Sequence, residues 1–193
     1  MSIIISHLNK KYKEKIIYKD FSYAFETGKI YGLLAPSGYG KTTLLNIISG
    51  LEREYKGVVE VKGEVSYVFQ EPRLFFHMSV MENIVFVRED RDLEKLDFLL
   101  KLVDLYEQRN LYPNELSGGM KMRVSIARAL YNKSDILLLD EAFAGIDNKL
   151  TKKILSYIET IKENKTILIV SHNEDLLKNM ADVIVPLDKL EEI

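Results

Sequence analysis

The chain has 193 residues, 47% of them apolar and 29% charged, a composition typical of a soluble globular protein with a buried core. With a formal net charge of −2 the chain has no excess of basic residues, which argues against a nucleic-acid partner. The absence of cysteine excludes disulfides, thiolate metal sites and a cysteine nucleophile and suits a reducing cytoplasm, and no apolar run is long enough to span a bilayer.

Short apolar runs alternate with helical patterns along the chain, which predicts an α/β fold with a mostly parallel sheet. In the segment 21–25, aromatic residues alternate with polar or small ones, as in a half-buried strand. A buried strand is predicted at 30–34, followed by a helix at 41–49. Three further runs are dense in β-branched and aliphatic residues, as expected of core strands: 65–69, 136–139 and 166–170.

The middle of the chain, from about 72 to 132, has a helical pattern instead. We expect this segment to form a helical lobe inserted between two strands of the sheet. Its clearest feature is an apolar stripe formed by Leu93, Leu96, Leu99, Leu100 and Val103.

A glycine-rich stretch reading APSGYGKTT lies between the second predicted strand and the first predicted helix. It matches the phosphate-binding P-loop pattern G-x-x-x-x-G-K-[ST], except that Ala35 stands at the first glycine. Gly38 and Gly40 let backbone N–H groups approach phosphates, and the helix N-terminus favours an anion. Lys41 can reach β- and γ-phosphates, and the Thr42 hydroxyl can ligate Mg²⁺. A glycine-rich turn without a ligand is the alternative.

Ala35 is the one departure from the P-loop pattern. Alanine is unstrained at this position if its φ is negative, whereas a positive φ costs roughly 1–2 kcal/mol. We expect the loop to bind a nucleotide phosphate with Ala35 in place, less tightly than a loop with glycine.

Two carboxylates, Asp140 and Glu141, directly follow the predicted strand at 136–139. Ligands of open parallel sheets bind at the carboxyl edge of the strands, where these side chains would lie. Asp140 would orient Mg²⁺ through water, and Glu141 would polarise the attacking water as a general base. The alternative is that both carboxylates cap a following helix.

The stretch YPNELSGGMKMRVSIARAL supplies the most specific string of the sequence. Its Leu-Ser-Gly-Gly run precedes a predicted helix and would expose N–H groups to an anion, although a plain helix N-cap is the alternative. The predicted helix has an apolar face of Met120, Val124, Ala127 and Tyr131. The stretch resembles the signature motif of ABC-type ATPases, LSGGQ followed by an arginine-rich helix, with methionine in place of the usual glutamine.

Further elements of this family occur in the expected order along nearly the whole chain. Gln70 in YVFQEPRL resembles the Q-loop glutamine, and His172 in LIVSHN resembles the switch histidine that contacts the γ-phosphate. Asp147 in AGID resembles the D-loop aspartate, although the family usually has Ser-Ala-Leu-Asp there. Tyr12 resembles the aromatic residue that stacks on adenine. Gln70 and His172 could instead be structural strand-end residues, and Tyr12 could be a surface residue.

The resemblance implies one ABC ATPase domain over 1–193. Its P-loop core with an N-terminal antiparallel β part would comprise 1–71 and 133–193, and about 72–132 would form the helical subdomain with the signature motif. ATP and Mg²⁺ are the implied cofactors. The implied catalytic residues are Glu141, His172, Gln70 and Lys41, and the implied metal-site residues are Thr42, Gln70 and Asp140. The implied nucleotide-binding residues are Tyr12, Ser37, Gly38, Tyr39, Gly40, Lys41, Thr42, Thr43, Ser117, Gly118, Gly119 and Asp147.

The resemblance also implies that two chains, identical or paired, close head to tail on ATP, with Ser117 of one chain capping the γ-phosphate held by Lys41 of the other. Separate transmembrane permease subunits would receive this motion at the cytoplasmic face of the membrane. The string FQEPRLFFHMSVMENI resembles ATPases of importers for nitrate, sulfonate and taurine. A soluble ABC ATPase of iron–sulfur assembly and a nucleotide-binding regulator without turnover are the alternatives, whereas the repair type needs long heptad arms that this chain lacks.

Overall fold

The N-terminal part of the chain forms a three-stranded antiparallel sheet. In the computed structural model, which describes residues 1–187, its order is β2-β1-β4. The last six residues of the predicted segment 133–193 lie outside this range. The strands are β1 (Ile3–Tyr12), β2 (Lys15–Phe25) and β4 (Lys56–Val61). The predicted alternation is found at the end of β2, where Phe21 and Phe25 are buried and Ser22 is exposed.

A second sheet has five strands, and all of its neighbouring strands are parallel. Its order is β5-β6-β7-β3-β8. The strands are β3 (Lys29–Leu34), β5 (Val65–Val68), β6 (Ile136–Asp140), β7 (Thr166–Val170) and β8 (Val183–Pro186). The four predicted core strands are present to within one residue, which confirms the predicted α/β class. The prediction did not include β1, β4 or β8.

Six α-helices are present between residues 1 and 187, and most of them begin at a side-chain cap. Ser117, Asp147 and Asn173 each accept a hydrogen bond from a backbone N–H in the first turn of the helix that follows. The helices are α1 (Lys41–Ile48), α2 (Val80–Val85), α3 (Leu93–Leu102), α4 (Gly118–Tyr131), α5 (Asn148–Thr160) and α6 (Glu174–Met180). None of them is both long enough and apolar enough to cross a membrane.

The parallel sheet separates two layers of core. Alternate residues of β6 point to opposite faces, so that Leu137 and Leu139 pack with the helices α2 to α6 whereas Leu138 packs on the other side. On that other side α1 is enclosed between the parallel and the antiparallel sheets, and Leu44 and Leu45 are fully buried. This enclosure holds the N-terminus of α1 at the carboxyl edge of the parallel sheet.

The segment 72–132 contains α2, α3 and α4, with α2 and α3 packed on α4. The helix α4 is buried on most of its circumference, so the predicted apolar face is part of a wider buried surface. The predicted stripe on α3 is buried except at Leu93, which is 64% exposed. Its inclusion in the stripe was wrong because the chain from 89 to 94 is exposed throughout, so the first residue of α3 projects beyond the packed core.

The contrast between Leu99 and Leu93 predicts unequal effects of the same truncation on one helix. Leu99→Ala, at a residue with 0% exposure, should lower the free energy of unfolding by about 2–5 kcal/mol, because it removes buried methyl groups and leaves a cavity. Leu93→Ala should change it by no more than about 0.5 kcal/mol. Urea titration followed by circular dichroism measures both. Equal effects would contradict the packing described for α3.

Candidate functional site

The carboxyl ends of four neighbouring strands meet at one cavity. These strands are β5, β6, β7 and β3, and because they are parallel their ends lie along one edge of the sheet. The cavity has a volume of about 460 Å³. It brings together most of the predicted site, namely Tyr12, Ser37, Gly38, Gly40, Lys41, Thr42, Thr43, Gln70, Asp140, Glu141 and His172.

The glycine loop needs glycine at two positions because the backbone there has a positive φ. Gly38 and Gly40 have φ of 82° and 86°, and Gly40 is the N-cap of α1. A Cβ at Gly40 would lie 2.4 Å from Cγ2 of Ile17. Ala35 is not among the residues with positive φ. The methyl group at the first loop position therefore causes no backbone strain.

Lys41 places a buried cation at the base of the loop. It is only 8% exposed, and its Nζ donates hydrogen bonds to the carbonyl oxygens of Ala35 and Pro36 at 2.5 and 3.0 Å. Among residues 1–187, no carboxylate forms an ion pair with it. A buried ammonium that is balanced only by carbonyl dipoles favours an anionic ligand.

Asp140 is 1% exposed and has one oxygen partnered and one free. Its Oδ2 accepts hydrogen bonds from the Thr42 hydroxyl at 2.8 Å and the Tyr67 hydroxyl at 3.3 Å, whereas its Oδ1 is buried with no hydrogen-bond partner. Burial, followed by the charge of Asp140, raises the pKa of Tyr67 and keeps that hydroxyl a donor.

A free carboxylate oxygen beside a threonine hydroxyl fits a hard divalent cation such as Mg²⁺. Within residues 1–187, no cluster of three or more acidic or histidine side chains could hold a metal ion by itself. The remaining ligands would therefore have to be oxygens of water or of a bound phosphate, which is the usual way in which proteins hold Mg²⁺.

Glu141 is held in a strained backbone conformation next to His172. Its φ is 50°, a region that costs a non-glycine residue about 1–2 kcal/mol, and its N–H donates to the Val170 carbonyl at 3.0 Å. Its Oε2 accepts a hydrogen bond from the backbone N–H of His172 at 3.2 Å. Its Oε1 is buried without a hydrogen-bond partner and lies 3.5 Å from Nε2 of His172. The arrangement leaves one carboxylate oxygen free to accept a proton.

Five of the predicted binding residues lie outside this cavity in the single chain. Tyr39 is 47% exposed on the loop. Ser117 caps α4, and its Oγ accepts a hydrogen bond from the N–H of Met120 at 3.2 Å. Asp147 caps α5 in the same way. The remaining two are Gly118 and Gly119 in the first turn of α4.

The cavity also contains residues that the sequence analysis missed. Lys15 and Ile17 of β2 line it, and the Nζ of Lys15 donates to the carbonyl of Gly38 at 3.1 Å. The hydroxyl of Tyr18 donates to the carbonyl of Gly40 at 2.9 Å. No local motif marks these residues. They reach the loop because the antiparallel sheet folds over it.

Comparison with known proteins decides the family. Residues 18–144 match the family model described as "ABC transporter", which is more than half of the chain. The chain belongs to this family. This chain superposes on a solved structure described as "Structure of ATP binding subunit of ABC transporter" with a TM-score of 0.87. The two chains are 20% identical, and the match covers 97% of this chain and 87% of that one. At this identity the likeness shows the fold alone.

Several curated relatives of this ABC chain are named as import proteins. The sulfate/thiosulfate import ATP-binding protein CysA 2 of Shewanella oneidensis is 36% identical, with 98% of this chain and 60% of the relative covered. The spermidine/putrescine import ATP-binding protein PotA of Protochlamydia amoebophila is 35% identical, with 99% and 57% covered. A probable sulfate/thiosulfate import ATP-binding protein of Chlorella vulgaris is 35% identical, with 97% and 88% covered. The chain thus spans about 60% of the length of the first two relatives.

We predict that Gly40→Ala weakens ATP binding by about tenfold or more. The loop conformation needs a positive φ at this position, which alanine adopts only with strain, and the added methyl group would collide with Ile17. The matched control is Gly50→Ala, since Gly50 also has a positive φ (75°) but has no neighbour within 4 Å of an added Cβ. Equilibrium binding of ATP measures both variants. Loss of binding in both, or in neither, would contradict the assigned role of the contact.

Proposed function

We propose that this chain is the ATP-binding and ATP-hydrolysing subunit of an ABC transporter that imports a small molecule. The observation that carries the proposal is the meeting of a phosphate loop, a buried lysine and two buried carboxylates at one cavity. Each carboxylate keeps one oxygen without a partner. This arrangement supports hydrolysis of a nucleoside triphosphate in preference to binding alone.

In this proposal the loop N–H groups and Lys41 bind the triphosphate of ATP. The Lys41 ammonium, which now donates to loop carbonyls, turns toward the β- and γ-phosphates. Thr42, Asp140 and Gln70 would hold Mg²⁺, which would neutralise charge on the phosphate oxygens when bound. The Tyr12 ring, which lines the cavity, would stack on adenine.

Hydrolysis would use Glu141 as the general base. The free oxygen of Glu141 accepts a proton from water while the water oxygen forms a bond to the γ-phosphorus and the bond to the ADP oxygen breaks. His172, whose Nε2 lies 3.5 Å from Oε1 of Glu141, would contact the γ-phosphate. The strained backbone at Glu141 is consistent with a catalytic position.

A second ATPase chain would complete the site. The N–H groups at the start of α4 are an anion-binding feature, yet Ser117, Gly118 and Gly119 do not line the cavity of their own chain. We therefore propose that they, with Asp147 and Tyr39, act across a head-to-tail interface with a second copy or a paired subunit. ATP would then favour the closed dimer, and hydrolysis would reopen it.

The helical segment 72–132 would transmit this motion to a separate membrane permease at the cytoplasmic face. We propose it as a helical subdomain of the single domain, with 1–71 and 133–193 as the core. Exposed aromatic side chains follow Gln70 closely, and Phe75 and Phe86 pack with ring centroids 4.6 Å apart beside the exposed Phe76. Import is supported by the printed names of the relatives. A role in iron–sulfur assembly has no comparable support.

The proposed base predicts that Glu141→Gln lowers phosphate release by about a hundredfold or more and preserves ATP binding, because glutamine keeps the shape of the side chain but cannot accept the proton. The variant should also elute as a dimer in the presence of Mg-ATP and as a monomer in its absence. Phosphate release with Mg²⁺ or with EDTA and size-exclusion chromatography measure these effects. Glu163→Gln is the matched control, because Glu163 is exposed and lies three residues before β7, at the edge of the sheet opposite to the cavity.

Three outcomes would count against the proposal in different places. A wild-type chain that does not bind ATP would overturn the proposed function as a whole. Phosphate release by Glu141→Gln at the wild-type rate would overturn the assignment of the base. A Glu141→Gln variant that binds ATP and remains monomeric at high concentration would overturn the composite site for the isolated chain.

A further inference from the structure

Tyr12, the proposed adenine platform, is held by two residues outside the cavity. Its hydroxyl donates a hydrogen bond to Oε2 of Glu52 at 2.8 Å. The Nζ of Lys10 lies 2.9 Å from the same oxygen and 4.3 Å from the centroid of the Tyr12 ring. Neither Lys10 nor Glu52 lines the cavity. The cavity-lining side chain that both of them contact is Tyr12.

The Lys10 ammonium is buried, and within the described residues 1–187 its polar and aromatic contacts are with Tyr12, Glu52 and Glu54. Its side chain is 2% exposed, and its Nζ also donates to the carbonyl of Glu54 at 2.6 Å. A buried ammonium needs such partners, and here they are a carboxylate, a carbonyl and an aromatic face. The hydrogen bond from Lys10, followed by those from the Glu54 N–H and the Tyr12 hydroxyl, lowers the pKa of Glu52 to about 2. Glu52 thus stays charged at neutral pH.

The carboxylate is anchored to the helix that begins at the phosphate loop. The N–H groups of Leu51 and Glu52 both donate to the carbonyl of Asn46, in the last turns of α1, at 2.9 and 3.0 Å. The other oxygen of Glu52 accepts a hydrogen bond from the N–H of Glu54 at 2.8 Å. Consequently one rigid element, α1, positions the phosphate loop at its N-terminus and Glu52 just beyond its C-terminus.

We propose that Lys10 and Glu52 are positioning residues that fix the Tyr12 ring as a platform for the nucleobase. This inference rests on the proposed function, because it assumes that ATP occupies the cavity. A tyrosine that is 46% exposed would otherwise sample several rotamers and would lose that freedom on binding. Fixing the ring before ATP binds removes this entropic cost, so that stacking of the nucleobase contributes more to the affinity for ATP. The triphosphate contacts do not depend on it.

The test replaces both charges at once, with Lys10→Met and Glu52→Gln in one variant. Methionine keeps the apolar stem of Lys10, and removing both charges leaves no unpaired charge in the core. The affinity for ATP should fall about fivefold, the effect of one net hydrogen bond, and the affinity for inorganic triphosphate should not change. Tyr12→Ala should weaken ATP binding further, by about tenfold, again without an effect on triphosphate.

The control is the double variant Lys29→Met and Glu26→Gln, which removes an exposed ion pair at the start of β3, at the end of the strand remote from the glycine loop. It should leave both affinities unchanged. Thermal melting of each variant verifies that it is folded under the conditions of the binding assay. In steady-state assays the Lys10 and Glu52 variant should raise KM for ATP with little change in kcat.

The inference is overturned if the double variant binds ATP as the wild type does. It is also overturned if the affinities for ATP and triphosphate fall in parallel, since the pair would then support the whole loop and not the ring. Both results require a wild-type chain that binds ATP. If the wild type binds triphosphate but has no preference for ATP, Tyr12 is not a base platform and the inference fails, while phosphate binding by the loop stands. Absence of binding by the wild type to either ligand overturns the proposed function itself.

Discussion

The enclosure of α1 between the two sheets is the constraint on which the rest of the site depends. Its buried leucine and isoleucine side chains contact both sheets and prevent the helix from shifting along its axis. The N-terminus of α1 therefore stays at the carboxyl edge of the parallel sheet, with the Thr42 hydroxyl 2.8 Å from Asp140. Its C-terminal end holds the turn that carries Glu52. One helix thus positions both the phosphate-binding end and the proposed nucleobase-binding end of the cavity.

Buried charge is concentrated at this edge at the expense of stability. Lys41, Asp140 and Glu141 are each less than 9% exposed, and the two carboxylates keep unpartnered oxygens. An unsatisfied buried polar atom costs about 1–3 kcal/mol, and the positive φ of Glu141 adds strain. The apolar layers on both faces of the sheet stabilise the fold enough to maintain this arrangement. A ligand with phosphate oxygens and a cation would satisfy these groups.

Sequence patterns identified the parts of this protein in which a single segment determines the structure. The core strands β3, β5, β6 and β7 are short segments dense in aliphatic and β-branched residues, and the loop, the acidic pair and the signature string are contiguous motifs. The strand β1 was missed because its pairing with β2 has three register shifts, which break the alternation of apolar and polar residues. Lys15 and Tyr67 could not be found from local pattern, because their contacts with the site exist only after the sheets pack.

The start of α4 and the turn after Glu141 are in contact within one chain, although the proposal assigns them to two different bound nucleotides. Gly119, in the first turn of α4, packs so closely on the turn after Glu141 that a Cβ would lie 2.9 Å from the carbonyl oxygen of Gly145. That turn is closed by a hydrogen bond from the N–H of Ala144 to the carbonyl of Glu141 at 3.1 Å. The second glycine of the signature string thus has a structural reason independent of any ligand. The same contact places the exposed end of α4 next to the backbone that carries the proposed base, so the conformations of the two regions are sterically linked.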